Sequence, residues 1–325
     1  MRAFLTIAAN TFLELIRQPV FLLLSSGTTS FIIIIASLPY FGFGEDAKLV
    51  RDAALSITLF TGLLAAVLAA SSAVNREIQV GTALAVLSKP VARGAFLLGK
   101  FCGIAGAVWL LAYANLLASL LASRMAYDAY GDPDGFGIAL FFGGLALSFA
   151  FGAFTNYFHH RNLAADAFGA QIVLITVTFL ILAFGVELKH PGQSEAQSVD
   201  WRLLPAGALI LCALLLLSAI ALACSTRLDS VPTLIVCTII FFAGLISDYV
   251  FGHAAEQGLW WGSVGHAILP NWQLFWITDA IQSDRTLDGI WRYVAKSVLY
   301  LACYLTAVLL VAYALFEDRD LAAND

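Results

Sequence analysis

Long stretches without a charged residue alternate along this chain with short ones in which Asp, Glu, Lys, Arg and His gather. Eight stretches of at least eighteen residues contain none of these five types: 20–41, 53–74, 101–123, 135–158, 167–186, 203–226, 230–247 and 297–316. About 20 helical residues cross the hydrocarbon core of a bilayer, so each stretch is long enough to span it. Backbone groups in lipid must be paired within the protein, which a helix achieves alone and an open strand does not. Barrel strands would alternate apolar and polar positions over about 10 residues, and these stretches are continuously apolar. The pattern predicts an all-α polytopic membrane protein with about eight transmembrane helices.

The first charge-free stretch begins only at Val20. A cleaved signal would place its apolar run sooner, followed by a small-residue cleavage site. Residues 2–18 carry Phe4, Ile7, Phe12, Leu15 and Ile16 at near-helical spacing, with Arg2, Asn10, Glu14 and Arg17 away from them. That is the pattern of an amphipathic helix lying in the membrane interface. Pro19 separates it from the first span; the plainer alternative is an extension of that span.

Composition agrees with the pattern. The chain is 61% hydrophobic and 12% charged, with a mean hydropathy of +0.87, where a soluble domain has about 25% charged residues. Charge says less about orientation. With the N-terminus cytoplasmic, nine of the 17 Lys and Arg fall inside, scarcely a bias. The cysteines Cys102, Cys212, Cys224, Cys237 and Cys303 all lie in apolar spans without a CxxC pair and read as packing residues. His159 and His160 sit beside Arg161 on a polar turn and lack the further ligands of a closed metal site.

Residues 94–100 spell GxxxxGK, the start of a phosphate-binding loop, but Phe101 follows where that loop needs Ser or Thr for magnesium. Gly94 and Gly99 fit close helix packing instead. No Ser/His/Asp, Cys/His or paired-carboxylate group assembles in a span, so the chain reads as neither an enzyme nor a nucleotide binder. Ion-coupled carriers place ionisable groups at membrane depth, and the eight stretches hold none. Asn115, Gln171, Thr176 and Thr178 are uncharged and suit interhelical hydrogen bonds. Energy for any transport must then come from outside the bilayer.

Two polar regions remain for function. Residues 75–100, NREIQVGTALAVLSKPVARGAFLLGK, form the longest polar-punctuated segment between two spans. Residues 251–292 hold five of the seven tryptophans, Trp260, Trp261, Trp272, Trp276 and Trp291. Tryptophan favours the membrane–water boundary, so short helices in the outer interface are expected there, serving as anchor or as gate.

Several segments together resemble the permease subunits of ABC-2-type transporters. Residues 8–24, AANTFLELIRQPVFLLL, resemble that family's interfacial elbow and first span. The pattern REI..GT...LSKPV.R..FLLGK within 75–100 resembles its coupling-helix region. STRLDSVPTLIVCTIIFFAGLISDYVFG at 225–252 and LPNWQLFW at 269–276 resemble the later turn and span and the short external helices before the last span. The end at 314–321, ALFEDRDL, is acidic where the family's is basic, and eight spans exceed its usual six. The pair 135–158 and 167–186 would be the insertion.

The resemblance implies one transmembrane domain over 1–325. Its parts are an elbow helix at 1–19, two spans in 20–74, a cytoplasmic coupling segment at 75–94 and five spans in 95–251. An external interfacial segment at 252–293, a last span at 294–316 and a cytoplasmic tail at 317–325 complete it. It also implies an exporter of the cell (inner) membrane with both termini cytoplasmic. Its partners would be a separate ABC ATPase subunit, a second permease copy and the lipid bilayer, with no nucleic acid. This chain would bind no cofactor, ATP and magnesium belonging to the ATPase. Arg76, Glu77, Gln79, Gly81, Thr82, Lys89 and Arg93 would meet that subunit, through a coupling helix at about 76–88. Trp260, Trp261, Trp272, Phe275 and Trp276 would form the external segment. A non-transporting ABC-type scaffold acting on envelope proteins shares these features, and an autonomous secondary carrier is the third alternative.

Overall fold

The computed structural model describes residues 2–38, 46–75, 92–126, 134–186, 199–277 and 289–317. A short helix α1 (Arg2–Ile16) precedes α2 (Pro19–Ser37), with Pro19 in the first turn of the second. Then come α3 (Asp46–Ala70), continued by a wider turn Ser71–Asn75, and the long α4 (Arg93–Met125). Next follow α5 (Gly135–His159), α6 (Leu163–Leu180) with a wide turn Ile181–Gly185, α7 (Leu203–Ser225) and α8 (Ser230–Ser247) with a wide turn Asp248–Gly252. Two short helices, α9 (His253–Glu256) and α10 (Trp260–Ile268), and one 3₁₀ turn (Trp272–Phe275) lead to α11 (Ile290–Glu317).

Eight helices, α2 to α8 and α11, are long and apolar enough to cross a membrane, and the described residues contain no strand. The protein is a multi-pass α-helical membrane protein. Its helices outrun the charge-free stretches. α3 takes in Lys48, Arg51 and Asp52, α4 takes in Arg93, Lys100 and Arg124, and α11 takes in Arg292 and Lys296. A charged residue thus ends the charge-free stretch without ending the helix, and two of these side chains, Lys100 and Arg124, are buried within the protein.

Burial separates centre from perimeter. In the most apolar window of each span, 72% of α7 and 67% of α4 is buried, against 22% of α5 and α8 and 11% of α11. α3, α4 and α7 pack against one another at the centre. Their contacts are built on fully buried alanines, Ala65, Ala66 and Ala69 on α3, Ala107 and Ala118 on α4, Ala219 and Ala221 on α7. Lipid is as apolar as a leucine side chain, so spans associate through close packing, which small residues permit.

Polar contacts join α2, α4 and α6. Thr28 of α2 donates to Asn115 of α4 at 2.8 Å, Gln171 of α6 reaches Thr29 at 3.5 Å, and Tyr113 of α4 bonds Thr176 at 3.0 Å. Asn115, Gln171 and Thr176 thus hydrogen-bond across helices, whereas Thr178 lies against Gly144 of α5. The turn between α5 and α6 is closed locally. His160 takes the left-handed conformation that ends a helix, Asn162 caps α6 by accepting from Ala165 N at 2.9 Å, and Arg161 pairs with Asp166 at 3.1 Å.

α1 lies along α4 on a stripe of glycines. A Cβ at Gly99 would stand 2.9 Å from Ile7, at Gly103 2.6 Å from Thr11 Cβ and 2.8 Å from the Ala8 carbonyl oxygen, and at Gly106 3.2 Å from Phe12. Gly99 therefore serves packing, and the GxxxxGK residues from Gly94 onward are continuous helix. Gly103→Ala forces backbone apart and should cost about 1–2 kcal/mol, near the lower end of overpacking penalties. A thermal midpoint in detergent equal to wild type would show that α1 does not depend on this seat.

Candidate functional site

Successive spans run in opposite directions, which sorts the polar residues into two faces. On one face meet the ends of α3, α7 and α11 and the starts of α4 and α8. There the Ser71 and Ser230 hydroxyls are hydrogen-bonded to each other. Arg93 Nη1 donates to the Glu317 carbonyl at 2.9 Å and Arg227 Nε to the Leu315 carbonyl at 2.8 Å. Two cations thus hold the last carbonyls of α11, where a helix end is electronegative. Residues 76–91 join this face in the sequence, so of the expected partner contacts only Arg93 has a described position. Arg76, Glu77, Gln79, Gly81, Thr82 and Lys89 lie outside the described residues.

The opposite face is held by buried charge. Arg51 near the start of α3 pairs with Asp200 just before α7, and Asp200 N donates to Ser123 of α4 at 3.1 Å. Arg124 is 1% exposed. Its Nη1 donates to the Leu182 carbonyl and its Nη2 to the Val186 carbonyl at 2.8 Å. The wide turn at the end of α6 brings these two carbonyls to one guanidinium. Asp134 caps α5 by accepting from Gly137 N at 2.8 Å, is itself buried, and acts electrostatically on Arg124. Sequence reasoning stopped its third span at Ser123 and passed over this arginine; a single Arg closing a charge-free stretch was the available signal.

The residues expected in the external interfacial segment divide into two groups. Trp260 is 77% exposed and Trp261 half-exposed, but Trp272 and Phe275 are only 3% and 2% exposed, with Trp276 between. After α10 the chain turns into the bundle. Tyr304, fourteen residues along α11 from Ile290, donates to the Ala267 and Ile268 carbonyls at 3.0 and 2.5 Å. At about 1.5 Å per residue that is roughly 21 Å along the span, near its middle. Trp272 packs on Phe241 of α8 and points Nε1 at the Ile240 carbonyl, 3.5 Å away.

Side chains of α11 and of the segment itself meet several backbone groups of this re-entrant segment. Tyr300 accepts from Asn271 N at 3.1 Å, Tyr293 donates to the Leu274 carbonyl at 2.7 Å, and Asn271 Oδ1 accepts from Gln273 N at 3.0 Å. Tyr293, Tyr300 and Tyr304 are spaced by seven and four residues, one face of α11. Gly244 of α8 makes room, since a Cβ there would stand 2.4 Å from both the Pro270 carbonyl oxygen and Trp272 Nε1. Trp272 and Phe275, expected in an external segment, are here buried within a fold-back.

Beside the segment, α3, α7 and α8 enclose a pocket of about 430 Å³ with Phe60, Phe241, Trp272, Phe275 and Trp276 in its wall. Ser56 and Gln273 are its polar members, and no charged side chain lines it. Such a lining suits an apolar or aromatic guest. No model of a known protein family matches the chain, and no curated protein matches it either.

Proposed function

We propose that this protein is the membrane-spanning permease subunit of an ABC-2-type transporter, an exporter driven by a separate ATPase. The observation that carries the reading is where the charges stand. Every described Lys, Arg, Asp and Glu in a span lies towards one of its ends, and the spans meet through alanine, glycine and uncharged polar groups. Such a membrane core has no group with which to store or relay an ion gradient, so power arrives from outside it.

The arrangement of α1 and α4 supports the same reading. α4 begins at Arg93, directly after the segment that resembles a coupling helix, and runs through the centre of the bundle with α1 on its first half. A push on residues 76–88 would reach the central helices through α4. Arg76 and Glu77 would make charge-assisted hydrogen bonds to the ATPase, with Gln79, Gly81, Thr82, Lys89 and Arg93 around them. A second permease copy and a second ATPase complete the transporter, which sits in the cell (inner) membrane with both termini cytoplasmic. ATP and magnesium belong to the partner.

Purification in mild detergent tests this. Wild type should bring down an ATPase, and the Arg76→Glu, Glu77→Arg double variant should lose at least tenfold of the co-purified hydrolysis while remaining monodisperse. A well-behaved wild type that never carries a nucleotide-hydrolysing partner would sink the proposal.

A further inference from the structure

A second cavity, of about 960 Å³, lies between α7, α8 and α11. It runs along one stripe of α11, from Tyr300 through Val308 and Val311 to Leu315, faced by Ile220 and Ala223 of α7. Residues 267–270 of the re-entrant segment close its deep end. The fifteen steps from Tyr300 to Leu315 measure about 22 Å along a helix. That reaches from the middle of the span to its polar end, the depth of one leaflet and its boundary. The framing helices α8 and α11 are among the least buried spans, so the cavity flanks the bilayer side of the bundle.

Its chemistry is divided by depth. Tyr300 and Tyr304 at the closed end are engaged with the re-entrant backbone. The wall between is hydrocarbon, apart from the thiols of Cys224 and Cys303. Arg227 stands exposed at the open end, leaning on the Leu315 carbonyl through Nε only as far as 2.8 Å. α8 starts just beyond it, with an N-cap, Asp229, whose side chain makes no capping bond. A guanidinium beside the start of a long helix favours an anion; the exposed Asp229 carboxylate opposes it.

We propose that this groove holds one anionic phospholipid of the adjoining leaflet, an acyl chain along the α11 stripe and the phosphate at Arg227. The groove's length matches a leaflet, its wall offers nothing to a polar ligand, and its charge sits at headgroup level. A lipid bound there touches the re-entrant segment at 267–270 with its chain end and the close of α11 with its headgroup. It would tie that segment to leaflet composition, independently of how the protein is powered.

Native mass spectrometry of protein equilibrated with equal amounts of phosphatidylglycerol and phosphatidylcholine tests the site. Wild type should retain one phosphatidylglycerol with about fivefold preference, the worth of one basic residue near an anionic surface. Arg227→Gln should abolish the preference and Asp229→Asn should enhance it. Ala307→Trp, which fills the groove from its bilayer side, should lose the lipid. A maleimide with an apolar tail should label Cys303 faster once lipid is stripped, a readout that survives if the tryptophan variant misfolds. Equal retention of both lipids, an unchanged Arg227→Gln preference, or a dimer mass that excludes lipid would overturn the proposal.

Discussion

Arg124→Met should lower stability by about 3–5 kcal/mol, the cost of removing one partner from a buried charged group. Arg124 is the largest fully buried side chain of the described residues, and it holds the two carbonyls left open by the wide turn at the end of α6. The methionine leaves both carbonyls, and the buried Asp134 charge, without their cation. Thermal unfolding in detergent should show a midpoint lower by roughly 5–15 °C. Arg124→Lys should recover only part, because a single ammonium lacks the planar fork that reaches two acceptors. Adding Asp134→Asn to the methionine variant should recover part as well, by removing the stranded charge. A methionine variant as stable as wild type would mean that the carbonyls and Asp134 are satisfied without this arginine.

The second large effect belongs to Gly244→Val. Even its first carbon would stand 2.4 Å from a backbone oxygen at Pro270 and from the Trp272 indole, so the re-entrant segment must move. Moving it breaks the bonds that the segment makes with Tyr293, Tyr300 and Tyr304 of α11. We expect a loss of about 3 kcal/mol or more, at the upper end of overpacking costs. Gly27→Ala is the control, since nothing lies within 4 Å of the carbon it adds, and its midpoint should stay at the wild-type value or rise slightly, alanine being the better helix former. If Gly244→Val and Gly27→Ala behave alike, the segment is not seated against α8.

The two positions also show what the chain discloses. Charge-free length is a local property, and all eight spans were legible from it, as was the break at Pro19. What joins the spans depends on residues far apart, and a pattern read along one helix does not specify its neighbour. Gly99, Gly103 and Gly106 share a face of α4, but nothing in that spacing names α1 as the occupant. The tryptophans misdirect for a physical reason. An indole at the interface and one buried against a backbone carbonyl satisfy the same requirement, an apolar ring with a partnered N–H. Trp260 meets it in the first way and Trp272 in the second. Arg124 escaped because it closes a span, where a basic residue ordinarily meets headgroups; only the fold turns it inward.

The central position of α7 bears on how the molecule is made. Five spans, α2 to α6, are synthesised before it, and α3 and α4 present their alanine faces to a helix that does not yet exist. At ribosomal speeds of about 5–20 residues per second, the roughly one hundred residues between the end of α4 and the end of α7 take on the order of 5–20 s. During that interval lipid or an insertion factor must occupy the future seat of α7. A nascent chain arrested before Ser225 should therefore remain a loose set of inserted helices, open to protease and crosslinker, and close into a bundle only when the sixth span arrives.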